Sequence, residues 1–155
     1  MLVDLRRAGT AGPLQGSLAE GTVMAELVEL GQDESWELVG RQPICRIAWA
    51  SGHGPFVLPV NHVVHGRSMW IRTSAYSTLV REVDDTRVAI LVDDIDLDTR
   101  LGWSVQLRGV AHVHWHIAEV PEDVRTLHTW ASGPRPLWIE LTPDEVNGRR
   151  LVSGD

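Results

Sequence analysis

The chain has 155 residues, of which 43% are hydrophobic and 23% charged, and its formal net charge is −7 at pH 7. This length predicts one domain with a single core. The negative charge argues against a general nucleic-acid binder, because neutralising phosphates takes clustered lysine and arginine. The single cysteine excludes an intrachain disulfide and a cysteine metal cluster. With no membrane-length apolar run and no secretory signal pattern, a reduced, cytoplasmic location is expected.

Two biases in composition bear on ligands. Seven of the nine aromatic residues are tryptophan, and indoles both pack in cores and form flat walls for ring ligands. All 14 positively charged side chains are arginine, which suits bidentate contact with phosphate or carboxylate. Core packing and a GC-rich genome explain the same biases, so composition alone assigns no ligand.

The N-terminal third changes character at about residue 23. Residues 1–22 are rich in Gly, Ala and Leu without periodicity, which predicts a tail or arm and leaves residues 23–155 as the folded domain. A short helix is predicted from Asp33 to Arg41, with Asp33 as N-cap. Gln42-Pro43 ends it, because the residue before proline disfavours helical backbone.

Strand signals dominate the middle of the chain. A turn is predicted at residues 51–55, and Gly66-Arg67 is predicted to close a hairpin. The strands predicted from apolar runs and alternation are Ile44–Ala50, Phe56–His65, Ser68–Thr73, Arg87–Val92, Trp103–Trp115 and Leu137–Leu141.

The clearest of these strands runs from Trp103 to Trp115. Its apolar residues share one parity, which places one face of the strand in the core. Gly109 lies at the middle of this strand. A glycine there predicts a bulge or sharp bend, as at the corner of a barrel.

Helices flank the predicted strands. Besides the helix at Asp33–Arg41, two more are expected, at Ser74–Asp84 and Pro121–Trp130. Thr142–Glu145 is predicted to be a capping box for one short helical turn, which ends at Asn147-Gly148. Because strands follow one another closely, the sheet should be antiparallel and closed or nearly so. The predicted fold class is mainly β, a β-barrel with flanking helices.

The segment from Ile71 to Leu79 is the first candidate site. It runs from a strand end into a predicted helix start, where unpaired backbone N–H groups favour an anion. Arg72 precedes a cluster of hydroxyl residues, Thr73, Ser74, Ser77 and Thr78. A phosphate site fits this pattern, and so does ordinary N-capping by serine or threonine.

Other candidate groups give weaker signals. His112, His114 and His116 could share one strand face, but no acidic or cysteine ligand lies at a familiar metal spacing, so a solvated face is favoured. Residues 93–98 resemble the opening of a calcium loop but lack its Gly and Glu, so a solvated turn is expected. Cys45 is predicted to be an inert buried thiol. His62 is a candidate acid or base, with a surface strand histidine as the favoured interpretation. No metal site is predicted.

Nine motifs in order resemble the flavin-binding split barrels related to pyridoxamine 5′-phosphate oxidase, in their short actinobacterial form. The similarity covers about residues 25–151. Each motif is weak alone, and the order and spacing make the set specific. They are Gly40-Arg41, Pro59-Val60-Asn61, Arg72-Thr73, Asp93-Asp94-Ile95-Asp96, Thr99-Arg100, Gly102-Trp103-Ser104-Val105, Arg108-Gly109, Trp130-Ala131-Ser132-Gly133 and Thr142–Arg150.

This resemblance implies an antiparallel split barrel of the FMN-binding type and a homodimer with the cofactor at the subunit interface. It implies FMN, or the deazaflavin F420, and an oxidoreductase acting on an unknown small molecule. It assigns no catalytic residue. The residues it implies for the cofactor are Pro59, Val60 and Asn61 beside the ring; Arg72, Thr73, Ser77, Thr78 and Leu79 at the phosphate end; Trp103, Ser104 and Val105 along the groove; and Trp130 from the partner chain.

One departure from the family pattern lies inside this site. Relatives carry Gly-Thr-Lys or Gly-Ser-Lys before the leucine of the phosphate helix, where this chain has Tyr76-Ser77-Thr78. The lysine charge is missing. Either Arg72 or Arg81 compensates for it, or binding is weakened, the ligand differs or the site is lost. The alternative is a non-enzymatic protein with a degenerate site that binds flavin or a tetrapyrrole, or a sensor.

Overall fold

The computed structural model describes residues 24–154. Residues 1–22, predicted to be a tail or arm, lie outside the described residues. The strands are β1 (Ala25–Leu30), β2 (Ile44–Ser51), β3 (Gly54–His65), β4 (Ser68–Thr73), β5 (Thr86–Ile95), β6 (Gly102–His114), β7 (Leu137–Leu141) and β8 (Glu145–Ser153). The helices are α1 (Gln32–Arg41) and α2 (Thr78–Val83), and single 3-10 turns span Ile117–Glu119 and Val124–Thr126.

All strand pairs are antiparallel, and six strands close a barrel. The sheet order is β1-β8-β6-β5-β2-β3-β4-β7, and β6 also pairs with β7, which completes the ring from β6 to β7. The strands β8 and β1 extend the sheet beyond the ring, because residues 102–108 of β6 pair with β8 along the same edge on which residues 111–114 pair with β7. The predicted mainly-β class, an antiparallel barrel with flanking helices, is confirmed.

Alternating side chains fill the barrel. On β2, Cys45, Ile47 and Trp49 point inward and are buried, as the period-two geometry of a strand requires. A second, smaller cluster lies outside the ring, where Trp70 and Trp138 pack with Val120 and Val124. The side chain of Cys45 is fully buried, which confirms the prediction of a buried thiol, and desolvation raises its pKa to about 12.

Two predicted elements were wrong in kind. Residues 121–130 form a single 3-10 turn followed by irregular chain, although the apolar spacing suggested a helix. Val124 and Leu127 do pack inward as that spacing required. The helix does not continue because backbone groups further along bond to side chains of the barrel: Arg72 donates to the Leu127 carbonyl and Asn61 accepts from the Trp130 amide.

The predicted stop at Asn147-Gly148 is instead the middle of strand β8, which pairs with β6 and with β1. Gly148 serves close packing there, since a Cβ atom would lie 2.3 Å from the Ser35 hydroxyl of α1. The acidic residues of the predicted capping box, Asp144 and Glu145, form ion pairs with Arg87. Strand β1 was not predicted.

The helix boundaries also differ from expectation. The N-cap of α1 is Gly31 and not Asp33. Helix α2 begins at Thr78 and not at Ser74, because Ser77 is its N-cap and accepts a hydrogen bond from the Val80 amide. In residues 24–154, no helix has the length and apolar character needed to span a membrane.

Candidate functional site

An irregular segment crosses the outside of the barrel between the second 3-10 turn and β7. We call residues 127–136 the strap. Arg72 on β4 holds it twice, with Nε donating to the Arg135 carbonyl at 2.8 Å and Nη1 to the Leu127 carbonyl at 3.4 Å. On β3, the side-chain oxygen of Asn61 accepts from the Trp130 amide at 2.9 Å. The strap is therefore fixed by residues of the two neighbouring strands that the sequence marked as a site.

Between the strap and these strands lies a cavity of about 240 Å³, which we call the strap cavity. It brings together most of the residues predicted to hold a cofactor. Pro59 and Val60 give it an apolar wall, and side chains of the strap close the opposite side. Its lining residues are Leu58, Pro59, Val60, Asn61, Arg72, Thr73, Ser77, Leu79, Thr129, Ala131 and Arg135.

The polar lining of the strap cavity is cationic. In the part of the chain that the structure describes, neither Arg72 nor Arg135 has a carboxylate partner. The Arg72 guanidinium lies 5.2 Å from the centroid of the Trp138 ring and is half-buried. Hydroxyl groups are present as well, since Thr73 Oγ1 and Ser77 Oγ lie 3.1 Å apart. Guanidinium and hydroxyl donors without a carboxylate suit an anionic group such as phosphate.

The hydroxyl cluster has a structural role besides. Ser77 Oγ caps α2, so the N-capping interpretation of this serine is confirmed. Thr78 does not line the strap cavity, and its hydroxyl accepts from Arg81 at 3.3 Å. Arg81 is exposed and also lies outside the lining, so it does not take the place that the sequence suggested for it. Arg135 lines the cavity and was missed, because its position depends on the strap.

The predicted cofactor residues of β6 lie on a different part of the molecule. Trp103 and Ser104 on β6 line a cleft of about 230 Å³ with Leu151 of β8, which we call the β6 cleft. A larger cleft of about 530 Å³ adjoins it and shares Trp103. The Val105 side chain is fully buried in the barrel core and lines neither cleft.

The outer face of the sheet connects the strap cavity with the β6 cleft. Pro59, Arg46, Leu91 and Gln106 are successive register partners on β3, β2, β5 and β6, so they share the outer face. Three strand spacings separate the strap cavity from β6, which is about 14 Å at roughly 4.8 Å each. Within one chain the two groups of predicted residues therefore do not form one pocket.

The remaining histidines and acidic groups make ordinary contacts. His114 lies between Glu119 and Glu140, at 3.3 and 2.9 Å, and His112 contacts Asp85. No cluster of three potential metal ligands occurs in residues 24–154. The segment that resembled a calcium loop is the solvated turn that was expected, where the Asp96 carboxylate accepts from backbone amides and its pKa is lowered by those bonds.

His62 is neither a surface residue nor part of the strap cavity. It is 4% exposed, and its Nε2 donates to the Val39 carbonyl at 2.9 Å, which joins α1 to β3. The other ring nitrogen, Nδ1, is buried and has no hydrogen-bond partner in the described chain. The expectation of a surface histidine was wrong, and this contact gives His62 no role in proton transfer at the cavity.

This burial predicts a pH dependence of stability. Desolvation lowers the pKa of His62 below its ordinary value, and the bond to Val39 opposes the shift only in part. The unfolded state therefore takes up the proton first, so the free energy of unfolding should fall as pH drops below about 6.5. Urea unfolding at pH 7.5 and 5.5 measures this. We expect His62→Gln to flatten the slope and the exposed-turn variant His53→Gln to keep it; equal slopes in both variants would contradict the assignment.

The comparisons with known proteins agree with this architecture. The family model described as pyridoxamine 5′-phosphate oxidase matches residues 31–150. An uncharacterized protein of Mycobacterium tuberculosis is 32% identical over 133 residues, 83% of this chain and 88% of that protein. The structure of an FAD binding protein from Mycobacterium smegmatis has a TM-score of 0.63 and 26% identity over 81% of this chain and 98% of that one. An FAD-binding protein from Mesorhizobium loti shares the fold, with a TM-score of 0.64 and 15% identity over 84% of this chain and 100% of that one. The resemblance predicted from the sequence is confirmed, and the chain belongs to the pyridoxamine 5′-phosphate oxidase family.

Proposed function

We propose that this protein binds a flavin, with the phosphate end in the strap cavity and the ring beside Pro59, Val60 and Asn61. The observation that carries the proposal is the pair of guanidinium groups, Arg72 and Arg135, that line one cavity without a carboxylate partner in residues 24–154. In a chain of net charge −7, acidic partners are plentiful, and none of those in the described part of the chain lines this cavity, so its charge is available to a ligand.

FMN is the proposed cofactor, with F420 as the alternative. Both carry a phosphate group, which is the chemistry that the cationic lining recognises. FAD is a third flavin to test, since the M. smegmatis relative is an FAD binding protein. A bound flavin supplies electron or hydride transfer. The chain's residues would orient it: the apolar wall excludes water from one side, and the arginines hold the phosphate.

We further propose that the protein is a homodimer whose interface is the outer face of β3, β2, β5, β6 and β8. This face carries exposed apolar side chains, among them Val57, Leu91, Ile95 and Leu151, and such a patch marks an interaction surface. It runs from the strap cavity to the β6 cleft. Two copies packed face to face would place the strap cavity of one protomer against Ser104 and the β6 cleft of its partner. This arrangement joins the two groups of predicted residues that one chain keeps apart.

The proposed activity is that of an oxidoreductase acting on a small molecule. The lining that residues 24–154 give the strap cavity contains no His, Cys, Asp, Glu or Tyr. In this proposal the reaction takes its protons from solvent, the substrate or the partner protomer. The same observation favours a second candidate, a flavin-binding protein or sensor without turnover. Tight flavin binding without reduction by a nicotinamide or oxidation by a quinone would favour that candidate.

The test is the absorbance spectrum of the purified protein before and after titration with FMN, FAD and F420, together with its mass in solution. We expect a flavin spectrum, saturable binding and a mass of twice 17.2 kDa. A colourless protein that binds none of the three would overturn the flavin proposal. A monomer at concentrations where the flavin is bound would overturn the dimer. A haem titration that yields a Soret band would support the tetrapyrrole alternative.

A further inference from the structure

We infer that Asn61 is a positioning residue that holds residues 128–134 over the strap cavity, and that this segment is the gate through which a ligand enters. We call residues 128–134 the strap loop. The starting point is the side-chain amide of Asn61 on β3, whose oxygen accepts a hydrogen bond from the Trp130 amide at 2.9 Å. The inference rests on the proposed function only for the identity of the ligand that enters.

The strap loop is tethered to the barrel at one point. The two carbonyls that Arg72 binds belong to Leu127 and Arg135, which lie on either side of the strap loop. Within residues 24–154, the bond from Trp130 to Asn61 is the single hydrogen bond between the strap loop and the barrel. Every residue of the strap loop except Thr129 is exposed. A segment with one tether and no fully buried side chain opens at a small cost in free energy.

The backbone of the strap loop contains a hinge position. Gly133 has a φ of 97°, a conformation that glycine adopts readily and other residues rarely. Nothing lies within 4 Å of a Cβ atom built there, so the glycine is not needed for close packing. Hinges are a few residues that absorb large changes in backbone angles. Gly133 therefore allows the strap loop to swing outward while Arg72 keeps both ends of it in place.

The size of the strap cavity shows why the strap loop must move. The cavity has a volume of about 240 Å³, whereas sites for ligands of drug size usually span about 300–1,000 Å³. The proposed function places both the ring and the phosphate end of a flavin against this one lining. Thr129 and Ala131 of the strap loop form part of the opposite wall, so moving the strap loop enlarges the cavity where the ligand enters.

A second contact of Asn61 provides a matched pair of variants. Its Nδ2 donates to the Pro43 carbonyl at 3.3 Å, and this carbonyl also accepts from the His62 amide at 3.2 Å. Asn61→Asp keeps an oxygen for the Trp130 amide and loses only the donor to Pro43. Asn61→Ala loses both contacts. A difference between the two variants therefore reports the bond to the strap loop.

The experiment measures access to the cavity from the alkylation rate of a thiol introduced by Thr73→Cys in the full-length protein. Thr73 lines the cavity and is 5% exposed, while the natural Cys45 is buried with a pKa raised to about 12, so it reacts slowly. Iodoacetamide is the probe, and peptide mass spectrometry follows the reaction. When opening is fast compared with alkylation, the rate follows the population of the open state.

We expect Asn61→Ala to speed this alkylation about threefold to tenfold, which is the effect of one hydrogen bond on an opening equilibrium. Asn61→Asp should leave the rate within about twofold of the Thr73→Cys protein. Arg81→Gln is the control, since Arg81 is exposed and lies outside the cavity, and it should also stay within about twofold. An unchanged rate in Asn61→Ala would overturn the inference. Equal acceleration in Asn61→Ala and Asn61→Asp would assign the effect to Pro43 and would overturn it too.

Repeating the alkylation with FMN, FAD or F420 separates this inference from the proposed function. A flavin that fills the cavity should slow the reaction of the introduced thiol. If Asn61→Ala acts as expected and none of the three ligands slows alkylation, the gate stands and the flavin proposal fails. If a flavin slows alkylation and Asn61→Ala has no effect, the flavin proposal stands and the gate is wrong.

Discussion

Gly109→Ala is expected to destabilise the protein by about 2–3 kcal/mol and to lower its melting temperature by roughly 5–10 °C. The reason is the path of the connection between β7 and β8. A Cβ atom on residue 109 would lie 2.9 Å from Pro143 Cα and 2.9 Å from the Thr142 carbonyl oxygen. Both are backbone atoms, so neither can move aside as the end of a side chain would.

The position of Gly109 explains why the connection passes there. Residues 102–108 of β6 pair with β8, and residues 111–114 pair with β7. Gly109 lies where β6 exchanges one partner for the other, and the link between those partners crosses over it. Of the bulge or sharp bend that the sequence predicted here, the bulge is absent, because pairing with β5 continues in register through Val88 and Gly109. The glycine is needed for close approach of another segment.

Gly52→Ala is the control for this prediction. Gly52 lies in the turn between β2 and β3, and nothing lies within 4 Å of a Cβ built there. Thermal unfolding followed by circular dichroism compares the two variants with the unmodified protein. We expect Gly52→Ala to melt within about 1–2 °C of it, as surface substitutions usually do. A Gly109→Ala protein that melts with the control would show that the connection can shift at little cost.

Arg72→Gln is expected to weaken FMN binding about tenfold to a hundredfold and to loosen the strap. Arg72 is unlike Arg135 because it holds two strap carbonyls and also lies over the Trp138 ring. Loss of these interactions should cost about 2–3 kcal/mol of stability. Arg72→Lys should recover part of the affinity, since it restores the charge without the planar fork that reaches both carbonyls.

Limited proteolysis measures the strap directly. Trp130 lies in the strap and its side chain is 74% exposed, so chymotrypsin can report how readily the strap leaves the barrel. We expect faster cleavage after Trp130 in Arg72→Gln than in Arg81→Gln, which removes an exposed arginine outside the cavity. Equal cleavage rates would mean that other contacts, such as the bond from Trp130 to Asn61, suffice to hold the strap.

The strands inside the barrel could be predicted because their signals are local. Ser68–Thr73 and Leu137–Leu141 were predicted with the bounds that the structure shows, since each is a short apolar run between turn residues. The hairpin at Gly66-Arg67 depends on the two strands beside it and was also confirmed. These elements need no information from distant parts of the chain.

The elements that were missed depend on distant contacts. Strand β1 is exposed along most of its length, and its six residues gain order by pairing with β8 at the other end of the chain. The sequence pattern predicted that Gly148 ends a helical turn, whereas in the structure Gly148 allows strand β8 to pack closely against Ser35. The helix predicted at residues 121–130 does not form, because side chains of the barrel make hydrogen bonds to the backbone of this segment. Local propensity carries no information on contacts with residues more than a hundred positions away, or with side chains of another strand.

The sequence by itself determined the antiparallel barrel, the family and the place of one cationic site between Pro59 and Leu79, because alternation, turns and ordered motifs are properties of neighbouring residues. Only the tertiary structure decided which residues share that site. It brought Arg135 into the cavity through the strap, left Arg81 and Thr78 outside, and buried His62 and Val105. The physical reason is that a cavity is made by chain segments that meet in space, and the strap is positioned by hydrogen bonds to Arg72 and Asn61 over separations of 55 to 69 residues.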